Sequence, residues 1–173
     1  GEPGLPSGRE LAEHLAARFF YPTDESLDLL RVAQYVELTV GRRPLYDELR
    51  RVFEIRSSPT PMHRTLARLP LRVVFETNYD DALERALQNE DRDFDVLTYI
   101  ADGPSHGSFR LDRSDGESIV LDAPKSYADL VNKRLTVVRL HGRLDRRDPS
   151  LDSFVITEDD HLDAALRRVD GLP

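Results

Sequence analysis

Three polar residues follow two short apolar segments of this chain, where they could contact a bound ligand. Asn78 and Asp80 come just after residues 73–75, and His141 comes at the end of residues 134–140. An asparagine amide can orient water or a hydroxyl group, a carboxylate accepts hydrogen bonds, and an imidazole can take up a proton near neutral pH. These three side chains are therefore the first candidates for chemistry.

The elements around these residues predict where they lie. A short run rich in β-branched residues, such as residues 73–75, favours a strand buried on both faces, as in a parallel sheet. A polar turn follows, and residues 81–87 have a helical pattern. Residues 134–140 predict a second strand of the same kind. Ligands of such sheets bind beyond the carboxyl ends of the strands, so two neighbouring strands would bring the three side chains into one crevice.

The rest of the chain predicts an α/β fold that is rich in helix near its amino terminus. Helical periodicity is present in residues 9–20, 27–38, 44–53, 60–69 and 157–166, and weaker strand patterns in residues 94–100, 109–111 and 118–121. Ser7 with Glu10 forms a predicted capping box, and Thr60 followed by Pro61 predicts another helix start. The first three helices form an α-rich insertion ahead of the central strand.

Each candidate also has a structural interpretation. Asn78 and Asp80 could cap the helix that begins near Asp81, and His141 could be a hydrogen-bonded structural residue. The turn-rich residues 1–8 could cradle a phosphate, or could simply begin a helix. His63 has no partner at metal-ligand spacing, and we interpret it as structural.

Composition excludes several classes of function. The 173 residues include no cysteine, which rules out disulfides, thiolate catalysis and cysteine-bound zinc. The formal net charge of −8 opposes nonspecific attraction to nucleic acid, so we expect no direct nucleic-acid binding. No apolar run approaches the roughly 20 residues of a membrane span, and no signal-peptide pattern opens the sequence. We expect a soluble, cytoplasmic protein that does not enter a membrane.

Several motifs occur in the order found in one known family. They are Gly4-Leu-Pro-Ser7 before a helix, Thr77-Asn-Tyr-Asp80 after a strand, Leu140-His-Gly142 after a later strand, and residues 154–160. This ordered set resembles the sirtuin-like domains of prokaryotic defence proteins. The resemblance implies a Rossmann-like parallel sheet flanked by helices, with a helical insertion near the amino terminus. It leads us to expect that residues 1–173 form one sirtuin-like domain, incomplete at both ends because the family's phosphate-binding and adenine-side segments have no counterpart here.

The resemblance also assigns roles to individual residues. It implies that Asn78 and His141 are catalytic, with Asn78 positioning the nucleophile and His141 acting as general base. Asp80 would hold the nicotinamide carboxamide, and Arg9 corresponds to the arginine after the Gly-x-Pro turn of deacylating sirtuins. The implied residues that bind the cofactor are Gly4, Pro6, Ser7, Arg9, Thr77, Asp80 and Gly142. NAD is the implied substrate, and no metal is expected.

The function implied by the resemblance is hydrolysis of NAD+ to nicotinamide and ADP-ribose, which would deplete NAD in anti-phage defence. A homo-oligomer or a larger defence complex is the expected assembly. An alternative from another class is a non-catalytic module that senses NAD or ADP-ribose, or that serves assembly of a larger complex. Protein deacylation is less favoured, because the four-cysteine zinc ribbon usual in deacylating sirtuins has no counterpart in a chain without cysteine.

Overall fold

A five-stranded mixed sheet lies at the centre of the structure, and helices pack around it. The computed structural model describes residues 5–22, 24–55, 58–122 and 134–170, with side chains described up to residue 166. The helices are α1 (Gly8–Arg18), α2 (Leu29–Val40), α3 (Arg42–Phe53), α4 (Pro61–Arg68), α5 (Ala82–Asn89) and α6 (Glu158–Asp170). The strands are β1 (Val73–Glu76), β2 (Phe94–Tyr99), β3 (Phe109–Asp112), β4 (Ser118–Leu121), β5 (Leu135–Arg139), β6 (Gly142–Arg143) and β7 (Ser153–Phe154).

The helix starts follow the predicted capping chemistry. Ser7 accepts from the Glu10 N–H while the Glu10 carboxylate accepts from the Ser7 N–H, which completes a capping box. Thr60 caps α4 ahead of Pro61, and the neighbouring His63 bonds back to it, which fits the predicted structural role of that histidine. Both predicted starts are confirmed, and the bounds of α1 to α5 lie within two residues of those predicted.

The sheet has the strand order β1-β5-β2-β3-β4. Strands β1, β5 and β2 are parallel, whereas β3 and β4 are antiparallel additions at one side, so the sheet is mixed rather than wholly parallel. All five residues of β5 are buried, as expected for a strand with a partner on each side. The predicted α/β class with a Rossmann-like arrangement is confirmed.

The expectation that the strand at residues 73–75 is buried on both faces is wrong. Within the described residues β1 lies at the edge of the sheet, and 66% of the Phe75 side chain is exposed. A run of β-branched residues reports strand propensity, but the position of a strand within its sheet depends on long-range pairing that a local pattern does not contain. The same prediction is correct for β5.

Helices α1, α2 and α3 form a layer that packs against the segments following β1 and β5. Its core joins Leu15, Val36 and Leu49 of these helices to Tyr79 and Phe154. Helix α6 then packs against α2. The predicted helical insertion therefore lies beside the strand ends, where the candidate residues are found. None of the described helices combines the length and apolar character needed to span a membrane.

Candidate active site

The carboxyl ends of β1 and β5 lie side by side. The two strands pair in parallel, with Glu76 opposite Arg139 at their last residues, and the Leu140 N–H donates to the Glu76 carbonyl at 3.2 Å. Asn78 and His141 each follow two residues after these paired ends. The predicted adjacency of the two strands is confirmed, and the chain segments carrying Asn78 and His141 begin from neighbouring positions.

The loop after β1 is anchored through its backbone. The Asn78 carbonyl accepts a hydrogen bond from Arg139 Nη1 at 2.9 Å, and the Tyr79 carbonyl accepts from the Leu144 N–H at 3.1 Å. The Tyr79 hydroxyl donates to the Val155 carbonyl at 2.8 Å. Tyr79 is buried in the helical layer, whereas Asn78 is exposed. The anchored backbone leaves the Asn78 amide at the surface, where a ligand can reach it.

A buried ion pair contacts the backbone of this loop. Arg139 is 1% exposed, its Nε donates to Glu84 Oε1 at 3.0 Å, and its Nη2 donates to Glu84 Oε2. The two charges therefore satisfy each other in a double hydrogen bond, while Nη1 of the same guanidinium holds the Asn78 carbonyl. Neither residue was predicted from the sequence to support the site. The available signal was an arginine within an otherwise apolar strand, since a buried charge requires a partner.

Glu76, the last residue of β1, adds a further carboxyl group close to this ion pair. Burial raises the pKa of the Glu76 carboxyl; Arg139 opposes this shift, and Asp80 and Glu84 add to it. Burial disfavours the charged form of a carboxyl, and neighbouring negative charges act in the same direction. The Glu76 carboxyl thus lies within electrostatic range of the Arg139 guanidinium and of the Asp80 and Glu84 carboxyl groups.

Asp80 makes the helix-capping contact that the structural interpretation of this residue predicts. Its Oδ1 accepts from the Ala82 N–H at 2.8 Å, in the first turn of α5. Asp81, at the N-cap position, makes no side-chain capping bond. Among the described residues, the Asn78 side chain makes no such bond to α5 either. The helix-cap interpretation therefore describes one contact of Asp80 and does not account for Asn78.

The segment after β5 is fixed by close backbone packing. The His141 carbonyl accepts from the Val155 N–H at 2.9 Å, and Gly142 pairs with Phe154 in the small sheet of β6 and β7. Gly142 has a φ of +78°, and a Cβ placed there would lie 2.1 Å from the Ser153 carbonyl oxygen. Only glycine fits this close approach without strain. The half-buried His141 ring meets the ring of His161 edge to face, with 5.0 Å between centroids.

The predicted binding residues near the amino terminus lie on a different element. Ser7 caps α1, and the exposed Arg9 pairs with Glu13 at 3.0 Å. An open cavity of about 450 Å³ is lined by Gly8, Arg9, Leu27, Asp28 and Leu29. That lining includes neither Asn78 nor His141. Pro6 is half-buried before α1, and Gly4 lies outside the described residues.

Metal-ligating side chains do not cluster in the described part of the chain. No group of three or more histidine, cysteine, aspartate or glutamate residues there could hold a metal ion. The segments after the strand ends carry the exposed amide of Asn78, the half-buried imidazole of His141 and the buried carboxylate of Asp80. These groups can orient water, accept a proton and accept hydrogen bonds.

Comparisons with known proteins point to one family. The family of SIR2-like domains matches residues 72–170, a range that contains Asn78 and His141 but not α1. The NAD(+) hydrolase ThsA of Acinetobacter baumannii (strain 532279) is 38% identical over 88 residues, which cover 50% of this chain and 18% of that protein. The NAD(+) hydrolase ThsA of Bacillus cereus (strain MSX-D12) is 32% identical over 99 residues, or 54% of this chain and 20% of that protein. The chain thus spans about a fifth of the length of these curated relatives.

Proposed function

Because this chain belongs to the family of SIR2-like domains, we propose that it carries the catalytic site of an NAD+ hydrolase. The reaction is cleavage of the nicotinamide glycosidic bond by water, which gives nicotinamide, ADP-ribose and a proton. The observation that carries the proposal is the placement of Asn78 and His141, each two residues beyond the paired ends of two parallel strands. The two related NAD(+) hydrolases support the choice of substrate.

The proposed mechanism uses the two side chains in separate roles. As the bond between nicotinamide and C1′ of the ribose breaks, its electron pair leaves with the nicotinamide nitrogen, and the ribose gains oxocarbenium character. Asn78 orients the attacking water with an uncharged amide, which cannot itself trap the cationic sugar. His141 accepts the proton that this water loses and passes it to solvent.

The remaining residues bind the substrate in this proposal. One oxygen of Asp80 caps α5, and the carboxylate also accepts hydrogen bonds from the nicotinamide carboxamide. Thr77 and the backbone at Gly142 contact the nicotinamide ribose, since they flank Asn78 and His141. The residues proposed to bind the phosphates are Pro6, Ser7 and Arg9 near the start of α1, and Gly4, which lies outside the described residues. The amino terminus of a helix favours anions.

The biological setting is a further part of the proposal. We infer that hydrolysis depletes NAD in the cytoplasm during anti-phage defence, and that the protein acts as a homo-oligomer or within a larger complex. These inferences rest on the resemblance of the motifs Thr77–Asp80 and Leu140–Gly142 to sirtuin-like defence domains.

Nicotinamide release by the full-length protein tests the function. The wild type is incubated with NAD+, and nicotinamide and ADP-ribose are separated by chromatography, beside Asn78→Ala and Asn89→Ala. Asn89 is an exposed asparagine at the end of α5 and serves as the matched control. We expect equimolar products from the wild type and Asn89→Ala, and a rate reduced about 10²-fold or more in Asn78→Ala.

Two other outcomes would contradict hydrolysis and separate the alternatives. NAD or ADP-ribose bound by the wild type with no product released, in the assembled state, would indicate the sensing module. An acyl-lysine peptide consumed together with NAD, with the acyl group transferred to ribose, would indicate deacylation.

A further inference from the structure

The amino-terminal end of α6 is held firmly against the segment that carries His141. Asp160 Oδ2 accepts from the N–H groups of Ile156 and Thr157, both at 3.1 Å, and its Oδ1 pairs with Arg42 at 2.7 Å. The Asp160 N–H donates in return to the Thr157 hydroxyl oxygen at 3.1 Å. These bonds link the start of α6 to α3, while Val155 joins the same segment to the His141 carbonyl. The first turn of α6 therefore has a defined position relative to His141.

His161 lies in that first turn, and its ring is oriented by the backbone. Its Nδ1 is 3.1 Å from the Thr157 carbonyl oxygen. A carbonyl oxygen can only accept a hydrogen bond, so Nδ1 must carry the proton in the neutral ring. The ring then meets His141 with 5.0 Å between centroids and 64° between ring planes. This is the edge-to-face arrangement that aromatic rings favour.

We propose that His161 is a positioning residue for His141. This inference rests on the proposed function, in which His141 takes a proton from the attacking water. A general base must lie within hydrogen-bond reach of that proton, and small displacements of a reacting group reduce the rate strongly. His161, itself held by Thr157, limits the rotation of the His141 ring and keeps it directed at the water. His161 acts through the contact between its ring and the His141 ring, and it does not transfer a proton itself.

The capping of helix α6 does not account for a histidine at position 161. Thr157 and Asp160 already complete the capping of α6, so the helix does not need a histidine at the next position. The polar surface of the helix is supplied by other residues of the same turn, such as Glu158 and Asp159. What His161 adds is a planar ring against the proposed general base.

Kinetics of His161→Ala and His161→Phe in the full-length protein test the role. We expect His161→Ala to lower kcat for nicotinamide release about 10-fold while KM for NAD+ changes less than about 2-fold, because ring positioning affects the reaction step more than binding. His161→Phe keeps a ring of similar size and should restore kcat to within about 3-fold of the wild type. Leu162→Ala, at a position 61% exposed in the same helix, is the control and should match the wild type.

Histidine NMR supplies a readout besides activity. With 15N-labelled histidine, neutral His161 should show the Nδ1–H tautomer, and His161→Ala should shift the ring signals of His141 through loss of the ring current. The positioning role alone would be overturned if the His141 signals did not shift in His161→Ala. It would also be overturned if His161→Ala had the same kcat as an active wild type. A loss of kcat that His161→Phe does not restore would also overturn it, because ring shape would then not be the cause. A wild type that releases no nicotinamide would instead overturn the proposed function.

Discussion

The segments after β1 and β5 carry the two proposed catalytic residues, but different forces hold them. The loop after β1 depends on a buried charge in addition to its backbone hydrogen bonds, since the buried Arg139 pairs with Glu84 and donates to the Asn78 carbonyl. The segment after β5 rests on backbone packing, with Gly142 pressed against Ser153. The charged contact thus follows the edge strand β1, and the close backbone packing follows the central strand β5. In both segments the supporting residues differ from those that do the chemistry.

Breaking the charged anchor should have the largest effect on stability. Arg139→Met leaves Glu84 as a buried, unpaired charge, and we expect the free energy of unfolding to fall by about 3–5 kcal/mol. Chemical denaturation of the full-length protein measures this change. The control is Arg68→Met, which removes an exposed pair with Glu90 and should leave the free energy of unfolding nearly unchanged. Equal losses in the two variants would show that the buried pair has no special role.

The double variant Arg139→Met with Glu84→Met separates anchoring from stability. Replacing both buried charges by apolar side chains of similar volume should recover most of the lost unfolding free energy. The Asn78 carbonyl still lacks its donor, so we expect nicotinamide release to stay well below that of the wild type. Full recovery of both stability and activity would contradict the anchoring role of Arg139.

The backbone contact after β5 can be broken by adding one carbon atom. Gly142→Ala places a Cβ 2.1 Å from the Ser153 carbonyl oxygen at a φ of +78°, and strain with overpacking should cost roughly 2–4 kcal/mol. Gly103→Ala is a close control, because Gly103 has a φ of +80° with no atom within 4 Å of the added carbon. It should cost about 1–2 kcal/mol. Thermal unfolding that ranks Gly103→Ala as the more damaging change would refute the close-packing account.

Two substitutions of Asp80 separate its helix-capping contact from its proposed role in binding the nicotinamide carboxamide. Asp80→Ala removes the acceptor for the Ala82 N–H and should lower the free energy of unfolding by about 1 kcal/mol. Asp80→Asn keeps a side-chain oxygen at that position and should change stability by only a few tenths of a kcal/mol. If the carboxylate binds the carboxamide, Asp80→Asn should still raise KM for NAD+. An unchanged KM in Asp80→Asn would reduce Asp80 to a helix cap.

A weaker ion pair joins the segments after β1 and β5. The Asp81 carboxylate accepts a hydrogen bond from Arg146 Nε at 2.8 Å. Burial alone would raise the pKa of Asp81, but the hydrogen bond and charge of Arg146, with Arg85, hold it below its usual value. A lowered folded-state pKa stabilises the fold above the unfolded value of about 4, and this contribution disappears as pH falls through the folded value.

Asp81→Asn should therefore be less stable than the wild type at pH 7, by up to about 1 kcal/mol. The difference should shrink as the pH falls below about 4. Urea denaturation of both proteins across this range measures it. A difference that is constant with pH would mean that the charge of Asp81 contributes nothing.

Local features of the fold could be predicted from the sequence, whereas its tertiary contacts could not. Ser7 and Thr60 identified helix starts because a cap interacts within three residues. The polar residues after two apolar segments predicted the strand ends, and β5 later proved to be the buried neighbour of β1. Each of these predictions needed only nearby residues.

The supporting contacts of the site escaped prediction because they join distant positions. Arg139 and Glu84 are 55 residues apart, and nothing in the periodicity of β5 or α5 specifies their pairing. His161 lies within the predicted helix at residues 157–166, but its contact with His141 depends on how α6 docks. The edge position of β1 was missed for the same reason, since sheet order is a property of the whole fold.

A double-mutant cycle on nicotinamide release tests most directly whether the two strand ends form one catalytic site. The full-length wild type, Asn78→Ala, His141→Ala and the double variant are compared at saturating NAD+. If both residues act in the same step, the double variant should be no more than a few-fold slower than the slower single variant. Rate losses that multiply, or a single variant with wild-type activity, would contradict a shared site at the ends of β1 and β5.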